Sequence, residues 1–66
     1  MQVNVNGKTV DCSDNLSVDS FLSAQKIIPE NIAVAINNRL VPKTEWKDRI
    51  ISNNDKIIII KAAQGG

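Results

Sequence analysis

The four consecutive isoleucines at positions 57–60 constrain the fold more than any other part of this sequence. Successive side chains of a β-strand point to opposite faces, so Ile57 and Ile59 share one face, and Ile58 and Ile60 share the other. A strand that is apolar on both faces is typical of the middle of a sheet. The run therefore predicts a central strand near the end of the chain.

The first twelve residues predict a β-hairpin. Apolar and polar residues alternate on both sides of Asn6-Gly7, with Val3 and Val5 before it and Val10 and Cys12 after it. Asn-Gly between two alternating runs favours a two-residue turn, because both turn residues tolerate a positive φ. We expect two antiparallel strands that turn their apolar side chains towards one core.

A short helix is predicted after the hairpin. Ser17 has the position of an N-cap, and Leu16 and Phe21 stand at the two positions of a hydrophobic staple around it. Pro29 disfavours helical geometry in the residue before it. The helix should therefore end near Lys26.

The rest of the chain predicts two further strands before the isoleucine run. Ala33–Ile36 is compact and apolar, Asn37-Asn38 is a turn signal, and Leu40-Val41 is a short strand ended by proline. A single helical turn carrying Trp46 should follow. The element order predicts one α+β domain over residues 1–66, a β-grasp. Its mixed sheet has about five strands, one main helix packs across it, and the last strand lies beside the first.

One face of this sheet should remain exposed, because a single helix covers only the other. A contiguous apolar patch on a small protein usually marks a partner surface. We assign partner binding to Ile58 and Ile60, together with Ala62, Ala63 and Gln64 of the tail. The pattern does not decide which face docks, and a loop around Trp46 could instead cover the patch.

The composition narrows the classes of partner and compartment. The net charge is +1 and the sequence contains no basic stripe, which gives nucleic-acid binding no support. No apolar stretch reaches the roughly 18 residues of a membrane span, and we find no signal peptide. A lone cysteine fits a reducing compartment. We therefore expect a cytoplasmic protein that is monomeric when free and has neither a membrane nor a nucleic acid as partner.

The residue inventory also argues against an enzyme. The sequence contains no histidine, which excludes a Ser-His-Asp triad and the usual zinc sites, and no metal or stably bound cofactor is expected. Cys12 could be a reactive thiol, but its alternation with Val10 favours a buried structural role. Trp46 is either a binding hot spot or a cap on the edge of the sheet.

The sequence ends in Gln64-Gly65-Gly66. Glycine has no Cβ, so such a tail passes through a channel too narrow for ordinary residues and carries an accessible carboxylate. We expect residues 63–66 to be flexible. The site prediction therefore centres on the Gly66 carboxylate, with Gly65 beside it.

The second half of the chain resembles the ThiS/MoaD family of sulfur carriers, on its thiamin branch. The resemblance rests on the run from Ala33 to Asn37, on Leu40–Lys43, on Trp46, on Asn54–Ile57 and on the terminal Gly65-Gly66. It departs from the family at Asn54, where many members have glycine, and at Lys43, where many have arginine. Asparagine tolerates positive φ, whereas lysine lacks the planar two-pronged contact of arginine.

The resemblance implies a ubiquitin-like β-grasp fold and a carrier role. A ThiF-type adenylating enzyme would use ATP and magnesium to adenylate Gly66. A cysteine desulfurase or another persulfide donor would supply sulfur for a C-terminal thiocarboxylate, which would donate it to a ThiG-like thiazole synthase. The chain would thus be a co-substrate and not a catalyst.

Three alternatives remain open. The molybdopterin-pathway carrier uses the same tail chemistry with another acceptor, and a ubiquitin-like modifier joins its tail to lysines of target proteins. A pure interaction module would keep its activity without Gly65-Gly66.

Overall fold

The computed structural model describes residues 1–61. In it, one helix packs across a mixed five-stranded sheet. The strands and helices are β1 (Gln2–Val5), β2 (Lys8–Asp11), α1 (Val18–Ala24), β3 (Ile32–Ile36), β4 (Arg39–Val41), a 3-10 helix (Lys43–Glu45) and β5 (Lys56–Lys61). The strand order is β2-β1-β5-β3-β4, with β5 parallel to β1 and antiparallel to β3. This is the predicted β-grasp, with the isoleucine strand at its centre.

Both predicted two-residue turns are present. Asn6 and Gly7 have φ of 50° and 90°, and they join strands in the register that pairs Val5 with Lys8. Asn37 and Asn38 have φ of 51° and 69° and join β3 to β4. Positive φ at both central residues gives the type I′ twist that matches paired strands.

The helix begins as predicted. The Ser17 side chain accepts a hydrogen bond from the Ser20 backbone N–H at 3.1 Å, which satisfies one of the free donors of the first turn. Three of the helical side chains enter the core: Val18, Phe21 and Leu22.

The helix ends two residues earlier than predicted, at Ala24. Lys26 has φ of 59°, and its N–H donates to the Ser23 carbonyl at 3.0 Å. The N–H of Ile27 donates to the Leu22 carbonyl at 2.9 Å. These two bonds form a Schellman motif. The left-handed Lys26 therefore ends the helix, and Pro29 is not needed to end it.

The core lies between α1 and one face of the sheet. Its buried members are Val3, Val18, Phe21, Leu22, Val34, Ile36, Val41, Trp46, Ile51 and Ile57. Trp46 is only 3% exposed, and its indole N–H donates to the Val41 carbonyl at 2.9 Å. A binding hot spot at Trp46 is therefore wrong. The side chain instead caps the edge strand β4 from within the core.

No helix within residues 1–61 has the length and hydrophobicity that a membrane span requires.

Candidate functional site

The two faces of β5 differ in exposure at Ile57 and Ile60, whereas Ile58 and Ile59 are both half-buried. Ile57 is 1% exposed and Ile59 packs partly buried against the core. Ile58 and Ile60 point to the opposite face, where Ile60 is 59% exposed. Ile57 and Ile59 therefore face the helix, and Ile58 and Ile60 face away from it.

An apolar surface extends from β5 across β3 to the edge strand. Ala35 pairs with Leu40 on one side and with Ile58 on the other, and Ala33 pairs with Ile60. Leu40 is 66% exposed. We call these five residues the outer face. All five are apolar. The two large exposed side chains, Leu40 and Ile60, lie on the strands at either side of the alanines, so a partner could pack against the alanines between them.

Nothing within residues 1–61 folds over the outer face in the way that a loop around Trp46 could have done. The Trp46 carbonyl accepts a hydrogen bond from the Asp19 N–H at 3.1 Å, and its ring lies in the core with the helix. That loop therefore packs on the helix side of the sheet and leaves the outer face open.

Leu40 is the functional candidate that sequence reasoning missed. Its neighbour Val41 is buried at 6% exposure, so alternation along β4 places Leu40 on the outer face. The sequence contains this signal, but a strand of three residues is too short to show an alternating pattern by itself.

The start of β5 is fixed by a buried carboxylate. Asp55 is 7% exposed, and its two oxygens accept hydrogen bonds from the Asn37 side chain at 2.9 Å and from the Ser52 N–H at 2.8 Å. The Asn37 side chain in turn accepts from the Lys56 N–H at 2.9 Å. Asn54, which precedes this site, has the positive φ expected of its turn, 69°. This network ties the first residue of β5 to the β3–β4 turn.

The end of β5 marks where the tail begins. Lys61 is the last described residue and pairs with Ile32 of β3. The predicted site residues Ala62, Ala63, Gln64, Gly65 and Gly66 lie outside the described residues. Five residues span at most about 18 Å when fully extended. The tail thus starts on the strand that carries Ile58 and Ile60, and its carboxylate has a short reach from the outer face.

Cys12 is partly buried, less completely than predicted, and packs against the core. Burial raises the pKa of its thiol, and Asp11 and Asp14 add to the rise against the opposing effect of the N-terminal ammonium. A raised pKa keeps the thiol protonated at neutral pH, and the thiolate is the reactive form. The environment of Cys12 therefore suits a structural residue.

An open groove of about 600 Å³ lies between the end of β5 and the loop after α1. Its walls include Ile27, Ile28 and Ile59, with Lys26, Lys61 and Glu30 as its charged groups. It has no nucleophile paired with a base, and residues 1–61 contain no cluster of three potential metal ligands among histidine, cysteine, aspartate and glutamate.

Comparison with known proteins agrees with this geometry. The profile of the ThiS family matches residues 3–66. The sulfur carrier protein ThiS of Escherichia coli is 27% identical over 66 residues, which cover all of both chains. The uncharacterized protein ycf40 of Porphyra purpurea is 32% identical over all of this chain and 93% of its own length. The crystal structure of the thiamine biosynthesis protein ThiS from Geobacter metallireducens superposes with a TM-score of 0.86 at 28% identity, again covering both chains completely.

Proposed function

This chain belongs to the ThiS family, and from that membership we propose that it is a sulfur carrier of thiamin biosynthesis. The observation that carries the proposal is the family match over residues 3–66, which includes Gly65 and Gly66. The full-length alignment with the E. coli sulfur carrier and the ubiquitin-like β-grasp shared with the Geobacter protein add support. In this proposal the chain is the substrate of its partners and not a catalyst.

The proposed chemistry takes place at the Gly66 carboxylate. A carboxylate oxygen attacks the α-phosphorus of ATP in the active site of a ThiF-type enzyme, and pyrophosphate leaves. A sulfur nucleophile then attacks the carbonyl carbon, and AMP leaves with the electron pair of the broken C–O bond. Sulfide gives the thiocarboxylate directly, whereas a persulfide gives an acyl disulfide that a second thiol cleaves. The activating enzyme holds the nucleotide and magnesium, so the carrier needs only a tail and a docking surface.

The outer face is the proposed docking surface. Ile60 and Leu40 are the large apolar side chains that a partner would desolvate, and Ile58 lies across Ala35 from Leu40. The strand that carries Ile58 and Ile60 runs directly into Ala62, Ala63 and Gln64, the proposed tail contacts. Docking on the outer face would therefore hold the tail at a fixed distance from the partner's active site.

A thiazole synthase is the proposed acceptor of the sulfur, and a cysteine desulfurase or another persulfide donor its source. Each of these partners must accommodate the same two-glycine end, because each acts on the carbonyl carbon of Gly66, as an acyl adenylate or as a thiocarboxylate. We propose that they use the outer face in turn, so that one carrier binds one partner at a time.

The deciding experiment is the intact mass of the chain after incubation with an adenylating enzyme, Mg-ATP and sulfide. Replacement of one oxygen by sulfur is expected, and a variant that lacks Gly66 should not change in mass. Thiocarboxylate that then yields thiazole with a thiazole synthase would separate the thiamin branch from the molybdopterin branch. Absence of both adenylate and thiocarboxylate would contradict the carrier role.

The docking surface is tested by charge substitution with a matched control. Ile60→Glu should raise the KM for the carrier about 5- to 30-fold, the effect of losing 1–2 kcal/mol at an interface hot spot. Ile50→Glu introduces the same charge at another exposed isoleucine, 47% exposed and away from β5, and should leave KM unchanged. Equal effects of the two substitutions would exclude the outer face as the docking surface.

A further inference from the structure

Beyond Ile57, β5 is held differently on its two sides. On the β3 side the pairing is complete, from Ile36 with Ile57 to Ile32 with Lys61. On the β1 side the paired residues stop at Val5 with Ile57, and the last main-chain bond runs from the Asn6 N–H to the Ile57 carbonyl at 3.0 Å. After that point the chain of β1 turns away into the hairpin.

The side chain of Asn6 continues the pairing after the main chain has left. Its carbonyl oxygen Oδ1 accepts a hydrogen bond from the Ile59 N–H at 2.8 Å, and its Nδ2 donates to the Ile59 carbonyl at 3.2 Å. In a continued parallel ladder, the carbonyl of residue 6 and the N–H of residue 8 would make these two bonds. One side-chain amide therefore replaces two main-chain groups.

Asparagine is well suited to this position because two requirements meet there. The backbone of Asn6 has φ of 50°, which asparagine, aspartate and glycine tolerate best. Pairing with both main-chain groups of Ile59 needs a donor and an acceptor on one short side chain. Glycine has neither group and aspartate, when ionised, lacks the donor, so both would preserve the turn and weaken the pairing.

We propose that Asn6 is a positioning residue for sulfur transfer, whose amide holds the end of β5 on the β1 side so that the tail leaves from a strand held on both sides. The inference rests on the proposed function, in which a partner must receive the Gly66 carboxylate at a defined distance from the outer face. Without the amide, residues 58–61 are held by β3 alone.

Loss of the Asn6 side-chain amide should lower kcat and leave KM unchanged. Ile58 and Ile60 keep their partners Ala35 and Ala33 on β3, so docking and KM should remain. Presentation of the carboxylate becomes less precise, and catalysis is sensitive to small displacements of the reacting group. We expect kcat to fall at least about 2- to 12-fold, the factor that corresponds to one of the two hydrogen bonds that the amide makes.

The test compares Asn6→Gly with Asn38→Gly. Both substitutions remove an asparagine side chain at positive φ in a two-residue hairpin turn, and both leave a pair of residues that favours the turn. The Asn38 side chain is exposed and makes no hydrogen bond with any described residue. The measurements are the carrier-dependent exchange of pyrophosphate into ATP by the adenylating enzyme, at varied carrier concentration, and hydrogen exchange of the Ile59 amide in the free carrier.

Asn6→Gly should lower kcat at unchanged KM and should speed exchange at Ile59, whereas Asn38→Gly should do neither. The proposal is overturned if the two variants behave alike, or if Asn6→Gly changes only KM. A wild-type chain that supports no pyrophosphate exchange refutes the carrier function itself, and the positioning role falls with it. Should the glycine variant fail to fold, Asn6→Asp and Asn38→Asp provide the same comparison, because aspartate keeps the turn but loses the donor.

Discussion

Replacing Lys26 with glycine should stabilise the domain. Lys26 is the one residue other than asparagine and glycine that has a positive φ within residues 1–61, at 59°, and it occupies the position after the helix C-cap where glycine is most common. Its side chain is exposed, and its ammonium makes no salt bridge with another described residue. The substitution should therefore remove backbone strain and little else.

The magnitude follows from two opposing effects. A left-handed conformation costs an ordinary residue about 1–2 kcal/mol, which glycine avoids. Glycine loses about 0.5–1 kcal/mol more in conformational entropy on folding. The net gain for Lys26→Gly is about 0.5–1 kcal/mol. At about 2.1 cal/mol/K per residue, a chain of this length has an unfolding entropy for which that gain corresponds to a rise in Tm of about 4–7 °C.

Thermal unfolding followed by circular dichroism measures this shift, with Gln25→Gly as the control. Gln25 is the preceding residue, but its φ is −87°, so glycine there brings the entropic cost without relief of strain and should lower Tm. Opposite shifts in the two variants would establish that the left-handed backbone is the cause. A fall in Tm for Lys26→Gly, or equal shifts in both variants, would refute the reasoning.

Three further outcomes are expected. Ile57→Ala should lower the free energy of unfolding by about 2–5 kcal/mol in urea denaturation, whereas Ile60→Ala, on the exposed side of the same strand, should change it by about 0.5 kcal/mol or less. Trp46→Phe should cost about 1–3 kcal/mol in the same assay, because it removes the buried hydrogen bond from the indole N–H to the Val41 carbonyl and leaves part of the core unfilled. The folded chain should react with iodoacetamide at Cys12 more slowly than a free cysteine does at neutral pH, and the rate should rise as the pH increases towards the raised pKa of the thiol; equal rates at neutral pH would contradict this.

Local sequence signals predicted most of the fold, because several positions allow few backbone conformations. Asn6-Gly7 and Asn37-Asn38 set two hairpins, Ser17 began the helix, and the isoleucine run became the central strand. Each of these signals depends on residues that are neighbours in sequence. The local structure could therefore be predicted without knowing the tertiary contacts. The family resemblance from the second half of the chain is likewise confirmed by the match over residues 3–66.

The features that the sequence could not predict depend on contacts between distant residues. The burial of Trp46 requires the helix to lie over it, and the exposure of Leu40 requires β4 to be an edge strand with its alternate residue in the core. The early end of α1 depends on a left-handed Lys26, a conformation that lysine does not favour by itself. The role of Asn6 at Ile59 joins residues far apart in sequence, and no local pattern contains it.

The hairpin turn at Asn6-Gly7 is also a site where the protein can be damaged by deamidation of the asparagine side chain. Asparagine is thermolabile, and before glycine its side chain is open to attack by the next backbone nitrogen, which expels ammonia and leaves a succinimide that water opens to aspartate or isoaspartate. In the folded chain the Gly7 N–H donates to the Asn4 side chain at 3.0 Å, and Ile59 holds the Asn6 amide on both its oxygen and its nitrogen. Both reacting groups are thus hydrogen-bonded in the native state. We therefore expect Asn6 to deamidate mainly while the first hairpin is open. The Asn6 side-chain amide therefore has a second consequence. The fraction of molecules in which it has been lost should increase with the time that the chain spends unfolded.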